Sequence, residues 1–108
     1  MRTLILRLIS AGLFCFLGFG AVMQAQSNGA KIFKANCTLC HSDDGSGNSP
    51  TGKALKAKDL RSDEVQKQSD GELAAVITKG KGKMPAFGSR IKPDDVKSLV
   101  AYIRELKK

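Results

Sequence analysis

Cys37, Cys40 and His41 stand together in the pentapeptide Cys37-Thr38-Leu39-Cys40-His41. Two thiols three residues apart share one side of a helical turn. An imidazole follows directly on the second thiol. Such a set can bind a metal, exchange electrons as a dithiol, or bond covalently to a partner with two electrophilic carbons and a metal at its centre.

The rest of the inventory narrows these options. The chain of 108 residues holds three cysteines and one histidine. Cys15 lies in an apolar N-terminal stretch. A tetrahedral zinc site wants four Cys or His ligands, and the pentapeptide offers three. A thioredoxin-like dithiol would sit at a strand-helix-strand unit, and no such pattern surrounds this one. A plain disulfide between Cys37 and Cys40 fits the spacing but gives His41 no role. The C-x-x-C-H order fits covalent attachment of one haem, with thioethers to both cysteines and His41 reaching the iron. A disulfide or another metal are the remaining alternatives.

His41 fills one axial position of such an iron, so the other needs a ligand. Thioether, amine or water could serve. Met1 and Met23 precede the region expected to remain after processing, which leaves Met84. It lies in Lys83-Met84-Pro85-Ala86-Phe87, within a glycine-rich loop able to fold over a haem face. A methionine filling a core gap is the plainer reading, but a lone Met in a polar loop is a poor core residue. His/Met ligation favours reduced iron, which suits an electron carrier.

These residues need positioning elements. Arg2 and Arg7 precede an apolar run from Leu8 to Val22, followed by Ala25, Gln26 and Ser27. This reads as a signal peptide over residues 1–25, cut after Ala25, leaving one domain over residues 26–108. The run of about 15 apolar residues is short of the roughly 20 that span a bilayer; an uncleaved anchor is the alternative. The expected location is therefore periplasmic or otherwise exported. The remaining chain keeps Phe33, Phe87 and Tyr102 as its aromatics, a thin core for a small domain, which a haem would fill.

Along that domain, Ser27-Asn28-Gly29 reads as a cap for a helix from about Ala30 to Asn36. Residues 42–51 read as loop, and Lys53–Lys58 as a helical turn. Ser62 caps a short helix and Ser69 or Asp70 a longer one ending at Gly80. Residues 79–90 read as loop. Pro93 opens the last helix, with Val96, Leu99, Val100, Ile103 and Leu106 at helical spacing. No strand alternation stands out. The fold class is all-α, about four to five short helices wrapped around one covalent haem.

The order of these elements resembles the class I cytochromes c in their short bacterial and algal form. The resemblance covers Gly29 to Lys107 and rests on Gly29, Phe33, Cys37-x-x-Cys40-His41, Pro50, Met84-Pro85 and Val100-Ala101-Tyr102-Ile103. It implies that the first and last helices cross, with Gly29 close to Tyr102. It also implies that a carbonyl near Pro50 accepts a hydrogen bond from the His41 ring. The implied function is one-electron carriage between respiratory or periplasmic redox partners, not enzyme catalysis. A fixed subunit of an oxidase or dehydrogenase is the alternative. A haem enzyme or gas sensor would need an open iron position, which Met84 argues against.

The charge is +8, from 18 basic and 10 acidic residues. Lys79, Lys81 and Lys83 alternate with glycine just before Met84 and could steer acidic redox partners. An ordinary solvated loop is the alternative. Peripheral contact with membrane complexes fits this charge, and a monomer is expected. Nucleic-acid binding does not fit, since no aromatics interleave the lysines.

Overall fold

The structure is a computed structural model that describes the backbone from Phe19 and the side chains from Asn28 to Lys108. Residues 1–18 of the expected signal peptide lie outside the described residues. Among the described residues six helices follow in order: α1 (Phe19–Asn36), α2 (Thr38–His41), α3 (Pro50–Leu55), α4 (Asp63–Gln66), α5 (Asp70–Lys79) and α6 (Pro93–Glu105). The only extended pairing among the described residues is an isolated bridge between Lys81 and Met84. The all-α expectation holds; the segment without its own expected helix is Thr38–His41, a single turn that follows the end of α1.

The α1–α6 crossing is the frame on which the rest is hung. Pro93 starts α6 with its fixed φ, Asp94 and Asp95 sit in the first turn and Arg104 in the last, as the helix dipole favours. Val96, Leu99, Val100 and Ile103 recur on one face and are all buried. On α1, Phe33 is 2 % exposed; on α6, Leu99 is 1 % exposed. Burial of a side chain this size contributes about 2–3 kcal/mol. Phe33 and Tyr102 meet across the crossing, ring centroids 5.2 Å apart and planes tilted by 53°.

Gly29 permits the approach. A Cβ there would lie 2.2 Å from the Ser98 carbonyl oxygen and 2.9 Å from Tyr102 Cβ. The expected proximity of Gly29 to Tyr102 is therefore observed. Gly29→Ala should cost the haem-loaded protein about 3 kcal/mol, because the obstacle is helix backbone and cannot swing aside. A denaturation midpoint within error of the unsubstituted protein would contradict this packing.

The start of α1 differs from expectation. Ser27-Asn28-Gly29 does not cap a helix at Ala30 but lies inside one. Tertiary contacts override the local signal: Asn28 Nδ2 donates to Asp95 Oδ1 of α6 (2.8 Å), while Gly29 lies against Ser98.

Helices α3, α4 and α5 begin with side-chain caps. Ser62 Oγ accepts from Val65 N–H at α4. Ser69 and Glu72 form a reciprocal capping box at α5, which buries Leu73 and Ile77. Helix α3 is shifted from the expected Lys53–Lys58 to Pro50–Leu55. Ser49 caps it through the Gly52 N–H, and Pro50 occupies its first turn.

Arg104 ties three helices together. Its guanidinium donates to the Gln66 carbonyl (2.7 Å), to the Gln68 carbonyl and to Asp70 Oδ1 (3.0 Å). Gln66 Nε2 in turn donates to the carbonyls of Leu60 and Ile103. The exposed Asp70 pair adds little; the backbone carbonyls that would otherwise end α4 unpaired matter more.

Candidate haem site

Two segments carry the candidate residues. The first is the break between α1 and α2. Cys37 N–H closes on the Phe33 carbonyl (2.9 Å), and His41 N–H on the Cys37 carbonyl (2.9 Å). The chain therefore stays helical through the motif and keeps Cys37, Cys40 and His41 within one turn. Both thiols are free and half-buried. Burial, then the neighbouring Cys40, pushes the Cys37 thiol up to about 11. A thiol held this way stays protonated at neutral pH, and a thioether there would not titrate at all.

His41 is buried, 9 % exposed. Its Nδ1 lies 2.9 Å from the Lys58 carbonyl oxygen. A carbonyl can only accept, so Nδ1 carries the proton and Nε2 keeps its lone pair. No fully enclosed side-chain nitrogen or oxygen lacks a partner among the described residues. Nε2 has no protein partner, so it opens onto accessible space despite the residue's burial. That is what an iron ligand needs: one nitrogen anchored, the other free and accessible.

The acceptor is not where the resemblance put it. The expectation was a carbonyl near Pro50; Pro50 instead begins α3, and the loop after α3 brings Lys58 to the ring. The shift follows from Ser49. Its Oγ donates to the Leu39 carbonyl (2.6 Å) and accepts from the Gly52 N–H (3.0 Å). This fastens the start of α3 to the C-terminal end of α2 and commits Pro50 to helix.

Ser42 ends α2 at φ 66, ψ 165. This conformation is nearly confined to glycine and costs a non-glycine residue about 1–3 kcal/mol. It is held by the Ser49 N–H donating to Ser42 Oγ (2.7 Å). Further along, Arg61 pairs with Asp59 (3.0 Å) and Asp44 (3.5 Å), bracing both ends of the loop system. The hydrogen bond from the Arg61 side chain holds the Asp59 carboxyl below its ordinary range.

The second segment carries Met84. Gly80 stops α5 at φ 75, and a Cβ there would lie 2.7 Å from the Met84 carbonyl oxygen. Lys81 and Met84 exchange both backbone hydrogen bonds at 3.0 Å, with Gly82 at φ 57 in the first central position of the turn. Such a two-residue turn needs glycine there. Beyond Pro85, Phe87 and Gly88 N–H groups return to the carbonyls of Ile77 and Thr78. Phe87 is buried, with the Arg90 guanidinium carbon 4.5 Å over its ring. Met84 is thus pinned on both sides and half-buried against the core, which Cys37 also touches.

Sequence reasoning missed Lys58, Gly47 and Gly52. Lysine type says nothing about a carbonyl. Gly47 read only as loop, its one signal the run Gly45-Ser46-Gly47 soon after the motif, and Gly52 fell between that loop and the expected turn at Lys53–Lys58.

A family profile described as "Cytochrome C oxidase, cbb3-type, subunit III" matches residues 24–103. The cytochrome c6 of Nostoc sp. (strain PCC 7120) is 38% identical over 97 residues, covering 89% of this chain and 85% of that protein. The chain belongs to the class I c-type cytochromes. Cytochrome c6 of Porphyra purpurea is 35% identical over 101 residues, covering 89% of this cytochrome and 86% of the relative. Among solved structures, the "KustC0563 c-type cytochrome" superposes with a TM-score of 0.69 at 33% identity, covering 74% of this chain and 98% of that one.

As a member of this family the cytochrome is an electron-transfer protein with one covalently bound haem c, and not an enzyme. The haem enzyme and gas-sensor readings are set aside. The donor set fits the group: two free thiols on one turn, an imidazole with Nε2 free, and a thioether held in a separate constrained turn. No helix among the described residues is long and apolar enough to cross a membrane.

Proposed function

We propose that Cys37 and Cys40 hold the haem by thioethers, that His41 Nε2 and the Met84 sulfur are its axial ligands, and that the cytochrome shuttles electrons between larger redox complexes. Bound haem supplies one reversible electron per protein. The residues supply the rest. The Lys58 carbonyl raises the donor strength of His41, which favours oxidised iron. The Met84 thioether pulls the other way, toward reduced iron. The Phe33–Leu99 core excludes water from the protein side of the site. The observation that carries the proposal is the His41 ring itself, protonated and anchored at Nδ1 and bare at Nε2. Absorbance-monitored redox titration tests it: a single one-electron wave with the methionine-to-iron band in the oxidised form is expected. A two-electron wave, or no such band, would contradict it.

Under the same proposal, residues 1–25 direct export and are removed, and residues 26–108 work as a monomer in the periplasm or an equivalent exported compartment. Lys79, Lys81 and Lys83 are all exposed beside the Met84 turn. Lys81 reaches further: the Glu64 carboxyl is held below its ordinary range first by Lys58, 3.0 Å away, and also by the charges of Lys67 and Lys81. This basic surface suits an acidic docking face. Replacing all three with glutamate should slow oxidation by ferricyanide about tenfold at low salt and speed oxidation by a cationic cobalt(III) complex. Unchanged rates with both oxidants would move the electron exit elsewhere.

The profile match to a subunit of a cbb3-type oxidase supports a second reading, a fixed electron-transfer subunit. Size-exclusion of native extracts separates the two: the shuttle elutes as a small free protein, the subunit only within a large complex.

A further inference from the structure

We infer that Gly47 is a positioning residue that sets the donor strength of His41, by fixing the Lys58 carbonyl against the ring N–H. The inference rests on the proposed role of His41 as an iron ligand.

Gly47 touches both partners of that hydrogen bond through backbone alone. Its N–H donates to the His41 carbonyl (2.8 Å). Its other side faces the segment that carries the acceptor. A Cβ at Gly47 would lie 2.7 Å from the Ala57 carbonyl oxygen, 3.3 Å from the Ala57 carbonyl carbon and 3.4 Å from the Lys58 carbonyl oxygen. The first of these is closer than any real Cβ contact, and the obstacle is backbone. Gly47 also takes φ +76, where a side chain is strained.

The segment cannot yield cheaply from behind. Ala57 N–H donates to the Gly52 carbonyl (2.8 Å), and Lys56 is already turned to φ 55. Gly52 is itself in close backbone contact: a Cβ there would lie 2.0 Å from the Cys40 carbonyl oxygen and 2.5 Å from that of Gly47. The backbones of residues 40–41, 47, 52 and 57–58 are therefore in direct contact, and Ser49 Oγ bridges the Cys40 carbonyl and the Gly52 N–H at one edge. The 2.9 Å distance from His41 Nδ1 to Lys58 is set by that contact. A methyl group at position 47 must push the Ala57–Lys58 backbone outward and lengthen it. A weaker bond to Nδ1 leaves the imidazole a poorer donor, so oxidised iron is less favoured and the reduction potential rises.

Gly45 supplies the control. It lies in the same loop at φ +80, but its Cβ would meet Leu106 Cδ1, the end of a flexible side chain, at 2.9 Å. Gly45→Ala shares the backbone strain without touching Lys58. In the haem-loaded protein, Gly47→Ala should raise the reduction potential and speed solvent exchange of the His41 Nδ1 proton, seen by NMR of the reduced form, about tenfold. Gly45→Ala should leave both at the unsubstituted values while losing comparable stability. Equal values in the two variants would overturn the inference.

If Gly47→Ala does not retain haem, Gly47→Asn tolerates the left-handed backbone and brings the same Cβ. Loss of haem from both Gly47 variants with Gly45→Ala intact would make Gly47 a folding determinant only, and would also overturn it. A spectrum of the unsubstituted protein without histidine-ligated haem would instead remove the reading on which the inference rests.

Discussion

Under the proposed ligation, Met84→Ala should convert a closed iron into an open one. The oxidised variant loses the methionine-to-iron band, the reduced variant binds carbon monoxide rapidly, and the reduction potential falls on the order of 0.2 V. The sign follows from the ligand. A thioether stabilises reduced iron more than oxidised iron, and water or hydroxide in its place reverses that preference. No other methionine lies in residues 26–108 to substitute, and the turn is too constrained to bring in a different donor easily. Gly80 and Gly82 hold the turn by their positive φ, and Phe87 and Gly88 return to α5. The stability loss has two parts: about 2 kcal/mol for truncating a half-buried Met, and the iron–sulfur bond itself. A variant that kept the band and excluded carbon monoxide would remove Met84 from the iron.

The second large effect is on folding. Cys37→Ala/Cys40→Ala, expressed with the machinery that matures such proteins, should yield a largely unfolded chain with little helix by circular dichroism and no cooperative melting. The reason lies in the core. Phe33, Phe87 and Tyr102 are its aromatics, and α2 and α4 are single turns of four residues. Helices so short do not form without packing. Met84, Cys37 and Leu60 are only half-buried against the cluster, and a covalent haem would add the apolar cover a small core lacks. Without the thioethers, the entropy of ordering the Ser42–Ser62 loops is opposed mainly by hydrogen bonds, each worth about 1 kcal/mol net. A sharp melting transition in the double variant would show that the polypeptide alone suffices.

Much of this was legible in the sequence because the chemistry uses scarce residue types. One histidine and two remaining thiols in five residues admit few readings. The proposal of Met84 as the second ligand followed by elimination. Ser62, Ser69 and Pro93 announced their helices because capping is local chemistry, decided within four residues. Three features were not legible, each for a tertiary reason. Ser27-Asn28-Gly29 has the types of a helix cap, but Asn28 reaches Asp95 and Gly29 reaches Ser98, residues distant in sequence. Gly52 fell between the expected loop at 42–51 and the expected turn at Lys53–Lys58. It lies inside α3, where any side chain would collide with the Cys40 carbonyl. The partner of His41 was placed near Pro50, whereas the Lys58 carbonyl does the accepting. Every residue has a carbonyl, so nothing in the sequence marks which one will face the ring.

The most direct measurement is the mass of the tryptic peptide spanning residues 35–53 from the mature protein, taken with its visible absorbance and after treatment with a thiol alkylating reagent. The account predicts a coloured peptide heavier than its amino-acid composition by one haem, with neither Cys37 nor Cys40 alkylated. A colourless peptide of bare mass that takes up two alkyl groups would contradict it.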